Sequence, residues 1–175
     1  MKADRYRYDD HERPDLRDLP THAGVDKDCR EEIERRTAEN IETMKQLQEA
    51  LYADGREGIV LVLQALDAAG KDSIIKHVMS GLNPQGVMVH SFKQPGAEEL
   101  SHDYLWRVVK QLPPRGSIAI FNRSHYEDVL AVQILELWKK AQLPDRVLQD
   151  SRSEFFRKRY RQIRQFEEYL YENGY

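Results

Sequence analysis

Cysteine is nearly absent: Cys29 stands alone in 175 residues. One thiol excludes an internal disulfide and any cysteine-based zinc cluster, and its neighbourhood predicts a buried or inert thiol in a helix rather than a nucleophile. The six histidines, His11, His22, His77, His90, His102 and His125, follow no ligand spacing such as H-E-x-x-H. A structural transition metal is therefore not expected. Long apolar runs are missing too. The opening "MKADRYRYDDHERPDLRDLP" is charged throughout and lacks the apolar segment of a signal peptide, and no later run reaches membrane-spanning length. The expectation is a soluble cytoplasmic protein with no membrane partner. A strong charge of one sign is also lacking, the net value being -3, and no aromatic-basic binding motif stands out, which sets nucleic acid aside as a partner.

What is present suits one ordinary core: 40% hydrophobic residues in a chain of this length. Residues 1–27 carry Pro14, Pro20, Gly24 and many charges without apolar periodicity and read as an irregular arm. Residues 28–53 place Ile33, Thr37, Ile41, Met44, Leu47 and Leu51 at three-to-four spacing, an amphipathic helix ending near Gly55. "GIVLVLQAL" then reads as a central parallel strand buried on both faces. A turn and a helix, "KDSIIKHVMSGL", follow, closed by Asn83-Pro84. A strand at 87–92, a helix over 97–112, a strand at 117–121 and helices over 125–141 and 150–172 complete the pattern. Alternating strands and helices predict an α/β fold with a parallel sheet.

The chemistry lies where these strands end, the rim at which open parallel sheets place ligands. Residues 63–73, "LQALDAAGKDS", approximate the phosphate loop G-x-x-x-x-G-K-[ST], with Ala65 in place of the first Gly and Asp72 in place of the hydroxyl residue. Backbone N–H groups at Ala68, Ala69, Gly70 and Ser73, with a helix N-terminus behind them, can cradle phosphate oxygens while Lys71 neutralises charge. Lys93 and Gln94 follow the second strand. "FNRSHYED" follows the third and brings Asn122, Arg123, Ser124, Tyr126, Glu127 and Asp128 towards the same rim. With Asp72 and Asn122 standing where a metal-binding hydroxyl and carboxylate are usual, metal binding falls to Asp67 and Glu127. Cations and carboxylates from three strand ends suit transfer of a phosphoryl group between two anions.

Four motifs stand in unbroken order: D-x-x-G-K-D at 67–72, S-G-x-N-P-Q-G at 80–86, H-D-[FY]-L-W-R at 102–107 and F-[DN]-R-S-x-Y at 121–126. Together they resemble the core of the polyphosphate kinase 2 family, over residues 56 to about 174. The resemblance implies a three-layer P-loop kinase-like fold, here with about three parallel strands between helices. It implies transfer of the terminal phosphoryl group of inorganic polyphosphate to ADP or AMP, or the reverse, with Mg²⁺ as cofactor. Carried over by motif, Asp67 orients the acceptor phosphate or the metal, Lys71 holds the transferring group and Arg123 clamps phosphate. Lys93 and Arg107 line the anionic path, and Glu127 supplements the metal site. Asp72 is the family's usual residue after Gly-Lys, and Asn122 is the variant of one branch, paired with Glu where Glu127 stands. Ala65 and Ile74 depart from a common Gly and a common Thr.

The last helix closes with Asn173-Gly174, a C-cap signal that predicts a following strand. The resemblance implies a further core strand and a basic lid there, so residues 28–175 read as a partial, C-terminally truncated domain whose sheet is incomplete on that side. An open edge at the first strand predicts association, with a homo-oligomer as the expected state. The basic run Arg157, Lys158, Arg159, Arg161 and Arg164 reads first as a solvated helix face. Two functional classes follow: a polyphosphate:nucleotide phosphotransferase, and a catalytically inactive remnant that binds phosphate or a partner chain.

Overall fold

The computed structural model describes residues 15, 17–19 and 29–175; the rest of the predicted arm lies outside the described residues. The chain forms two compact units, Met1–Thr37 and Ala38–Tyr175. In the first, Asp15 and Arg17 form an exposed ion pair at 3.0 Å within a short turn. Cys29 is exposed and lies just before the first long helix, which corrects the burial in the expectation of a buried or inert thiol. Among the described residues no helix is long and apolar enough to cross a membrane.

Helix α1, Arg30–Asp54, leads into strand β1, Ile59–Leu63. Helix α2, Lys71–Val78, ends in a 3-10 turn at Met79–Gly81, and strand β2 follows at Val87–Ser91. Short helices α3, Ala97–Leu100, and α4, Trp106–Val109, precede strand β3, Ile118–Asn122. Helices α5, Ala131–Ile134, and α6, Asp145–Leu148, lead to the long α7, Arg152–Glu172.

The three strands form a parallel sheet in the order β1-β3-β2. β3 is therefore the central strand and is buried through Ile118–Phe121, whereas β1 is half-exposed. This corrects the reading of β1 as central: both strands are apolar, and only non-local pairing distinguishes them. Alternation along β3 splits the core into two faces. Ile118 and Ile120 meet Met79 and Leu82, with Met44 and Leu51 of α1 beside them. Ala119 and Phe121 face the other way, onto Phe92 and Val108, with Leu112 and Phe166 packed alongside. Helices on both faces of a sheet make the three-layer arrangement.

The S-G-x-N-P-Q-G segment is fixed by a residue that periodicity does not single out. Gln48 is buried on α1; its Nε2 donates to Asn83 O at 2.9 Å and its Oε1 accepts from Asn83 N at 2.8 Å. The glycines follow from that close approach: a Cβ at Gly81 would lie 2.3 Å from Ile41, and one at Gly86 would lie 2.9 Å from the Gln48 amide. Leu47, assigned above to the apolar face, is 64% exposed.

Two predicted helices are interrupted. Within 97–112, Asp103 Oδ1 accepts from Leu105 N at 3.0 Å, and this local turn competes with continuation of the helix. Residues 125–141 are short turns and α5 instead of one helix. Glu136 adopts a left-handed backbone with φ 52°, after which Trp138 is buried with Val129, Phe155, Phe156 and Ile163. Packing of the indole outweighs the helical pattern.

Candidate active site

Parallel pairing brings Leu63 and Ser91 into register with Asn122, so all three strands end at one level. The residues beyond those ends enclose a pocket of about 380 Å³, lined by 67–73, 91–93, Asn122 and Arg123. It gathers Asp67, Ala68, Ala69, Gly70, Lys71, Asp72, Ser73, Lys93, Asn122 and Arg123. Arg107 and Glu127 are not among its lining residues.

After β1 the chain turns sharply, with Ala68 at φ 62° and Gly70 at φ 94°. Ala65 is not in the left-handed region, so the Cβ that departs from the phosphate-loop pattern meets no backbone penalty. Gly70 has open space around its Cα, so its conformation, not crowding, calls for glycine. Ile74 N donates to Gly70 O at 3.0 Å, and the preceding first-turn N–H groups of α2 have no intrahelical partner to satisfy them.

Asp67, Lys71, Asp72 and Arg123 in the pocket are bonded to the protein itself. Lys71 Nζ donates to Ala65 O at 2.9 Å and Leu66 O at 2.8 Å. Arg123 pairs with Asp67 through Nη2 and with Glu127 Oε1 through Nη1, the latter at 3.3 Å. Asp67 is 83% exposed at its side chain. Asn122 Nδ2 donates to Asp72 Oδ1 at 2.7 Å. Arg123 holds this position with φ 64°, its N–H donating to Leu63 O at 3.0 Å.

Behind Arg123 lies a layer that the sequence pattern does not reveal. Gln64 Nε2 donates to Glu127 Oε1 at 2.7 Å, and Ser124 Oγ donates to Gln64 Oε1 at 3.1 Å. Glu167 on α7 accepts from Tyr126 OH at 2.6 Å and lies 3.3 Å from His125 Nε2. Burial works to raise the Glu167 carboxyl, but the bonds from His125 and Tyr126 outweigh it and hold the group below its ordinary value. The cause that would have flagged Gln64 and Glu167 is their partner, which is distant in sequence.

Arg107 is engaged elsewhere. Its Nε lies 3.0 Å from Glu99 Oε1, its side chain is 18% exposed, and its guanidinium sits 5.2 Å from the Phe92 ring centroid. Asp128 is paired with Arg159 at 2.9 Å, while burial raises its pKa. Burial likewise pushes Tyr104 up to about 12. Among the described residues no group of three or more His, Cys, Asp or Glu gathers to hold an ion.

A family model described as Polyphosphate kinase 2 matches residues 27–175. The chain belongs to the polyphosphate kinase 2 family. Its α/β fold is accordingly of the P-loop kinase-like kind. Over 175 residues it is 41% identical to an ADP-polyphosphate phosphotransferase of Rhodopseudomonas palustris, covering 99% of this chain and 60% of that protein. It is 49% identical over 131 residues to an AMP/ADP-polyphosphate phosphotransferase of Meiothermus ruber, covering 75% of this chain and 44% of that protein. The crystal structure of Polyphosphate Kinase 2 from Arthrobacter aurescens superposes with a TM-score of 0.77 at 35% identity, covering 98% of this chain and 57% of that one. The chain thus spans at most about 60% of these polyphosphate kinase 2 relatives.

Proposed function

We propose that this chain carries the phosphoryl-transfer core of a polyphosphate:nucleotide phosphotransferase, acting between inorganic polyphosphate and ADP or AMP in the cytoplasm. The observation that carries the reading is the convergence of Lys71, Lys93 and Arg123 with Asp67 on one strand-end pocket. An oxygen of the acceptor's terminal phosphate attacks the terminal phosphorus of polyphosphate. The bridging P–O bond breaks, and the chain departs one phosphate shorter with the electron pair on its new terminal oxygen. No side chain needs to form a covalent bond; positioning and charge neutralisation carry the rate.

Lys71 would exchange its carbonyl partners for oxygens of the moving phosphoryl group. The planar fork of Arg123 suits two phosphate oxygens at once, and its left-handed backbone, anchored to Leu63 O, holds it at the rim. Backbone N–H groups of the loop and of α2 would bind the remaining oxygens. The pocket fits Mg²⁺, a hard ion that needs only one or two carboxylates when phosphates and water supply the rest. Asp67, exposed in the pocket, would hold it; Glu127, whose Oε1 is shared between Gln64 and Arg123, would support it from behind. When bound, the ion neutralises charge on the phosphate oxygens.

The activities for which the relatives are named support polyphosphate and nucleotides as substrates, and no observation favours the non-catalytic reading. A homo-oligomer belongs to the same proposal and is read by light scattering. The test is ATP formation from ADP, long-chain polyphosphate and Mg²⁺. We expect turnover that falls about a thousandfold or more in Lys71→Ala, with an unchanged melting temperature. No turnover with either ADP or AMP would overturn the reading for this chain.

A further inference from the structure

The basic run on α7 is not one surface. Lys158 Nζ is bound to both carboxylate oxygens of Asp150, at 2.8 and 2.7 Å. Arg159 is paired with Asp128, and its guanidinium lies 4.0 Å from the Tyr104 ring centroid. Those two cations are part of the packing. Arg157, Arg161 and Arg164 instead line a groove of about 730 Å³ that shares no residue with the strand-end pocket.

The groove is built without help from a ligand. Tyr160 OH donates to Gln133 Oε1 at 3.1 Å, joining α7 to α5, and Phe156 behind it is 2% exposed. Arg161 and Arg164 are exposed and make no ion pair among the described residues, and Arg157 reaches only Glu154, at 3.7 Å. Glu168 is the single carboxylate lining the groove, so three positive charges less one leave an excess of two.

Positions 157, 161 and 164 follow one helix face over roughly 10 Å. Like charges at that spacing repel, and a linear polyanion relieves the repulsion along the whole row where a single phosphate would meet only part of it. Guanidinium forks match phosphate oxygens in pairs. Single-stranded nucleic acid is the poorer fit, because its binding relies on successive aromatic platforms, and here Tyr160 is the one exposed ring, with its hydroxyl tied to Gln133.

We infer that the α7 groove is a second binding strip for inorganic polyphosphate, separate from the phosphoryl-transfer pocket, that strengthens the hold on long chains. The identity of the ligand rests on the function proposed above; the anion site itself rests on the three arginines. A chain long enough to touch both places gains effective concentration at the second.

Binding of long-chain polyphosphate and of tripolyphosphate is measured by calorimetry for the wild type, Arg161→Gln/Arg164→Gln, Lys71→Ala, and the control Lys76→Gln/Arg146→Gln, which removes the same charge elsewhere. We expect the groove variant to bind long chains about tenfold more weakly with a shallower salt dependence. Tripolyphosphate binding should stay unchanged in that variant, and Lys71→Ala should keep its groove-dependent preference for long chains. Unchanged long-chain binding in the groove variant overturns the inference, as does an equal loss in the control. Displacement of long-chain polyphosphate by oligo(dT) at equal phosphate concentration overturns the choice of ligand. Loss of long-chain binding in the groove variant of a protein without turnover supports the groove while refuting the catalytic reading, so the two failures are distinct.

Discussion

Asn122 Nδ2 donates a 2.7 Å hydrogen bond to Asp72 Oδ1, linking the last residue of β3 to the first turn of α2 across the mouth of the pocket. An amide can donate where a carboxylate cannot. Asn122→Asp would set two carboxylates against each other and is expected to destabilise the fold by about 1 kcal/mol, lowering the melting temperature by about 2–4 °C. Facing carboxylates also make a divalent-cation site, so added Mg²⁺ should restore most of the loss in a thermal melt. A variant that neither drops nor responds to Mg²⁺ contradicts this account of the contact.

Gln48 satisfies both backbone groups of Asn83 from inside the core. Gln48→Ala removes both bonds to the partly buried N–H and C=O of Asn83 and should cost about 1–2 kcal/mol in urea unfolding. Gln48→Glu keeps one bond and loses the donor, so it should fall by a similar amount at neutral pH. A loss below about 0.5 kcal/mol, the range of ordinary surface changes, would remove the clamp from the explanation.

The backbone angles separate two alanines of the phosphate loop. Ala68 sits at φ 62° and Ala65 does not lie in that region. Glycine at 68 removes a native strain of about 1–2 kcal/mol, whereas glycine at either site adds unfolded-state entropy of about 0.4–1 kcal/mol. Ala68→Gly should therefore be more stable than Ala65→Gly by about 1 kcal/mol, measured by denaturant midpoints. The reverse order would refute the assigned loop conformation.

Glu167 links α7 to the segment that carries Arg123, and its folded pKa lies below the ordinary value of 4.5. As pH falls, the unfolded chain takes up the proton first, so the stability this carboxylate supplies is present above pH 4.5 and lost as pH drops through the lower folded value. Asp128, raised from 3.8, acts in the opposite sense: stability declines as pH rises from 3.8 through its folded value. Glu167→Gln should flatten the acid limb of a stability-versus-pH curve while leaving the slope from Asp128. An acid limb identical to that of the wild type would count against the Glu167 contribution.

Much of this was legible in the chain because the signals are local. β-branched runs marked all three strands, and parallel pairing makes the strand ends coincide, so Asp67, Lys71, Lys93, Asn122 and Arg123 line one pocket, whereas Gln94, Ser124, Tyr126, Glu127 and Asp128 do not. The central position of β3 was not legible: Ile59–Leu63 is as apolar as Ile118–Phe121, and pairing order is decided by contacts far apart in sequence. The helix expected over 125–141 failed for a related reason. Its apolar spacing is genuine, but Glu136 reverses the chain so that Trp138 reaches Phe155 and Phe156. Gln48 and Gln64 left no trace, because an uncharged amide gains its importance only from the partner it meets. Arg107 carries a family motif, and in this structure Glu99 holds it.

Lys71 and Arg123 are already occupied, by two main-chain carbonyls and by Asp67, and under the proposed function an arriving anion would meet them in that state. These groups are internal competitors. Phosphate binding is then an exchange reaction, in which each new bond replaces an old one and the observed affinity reports only the difference. Under the proposed function, the same competitors would recapture the cations when product leaves. Tight anchoring in the loaded state and rapid clearing afterwards would then be compatible, because the vacated lysine and arginine each regain an internal partner.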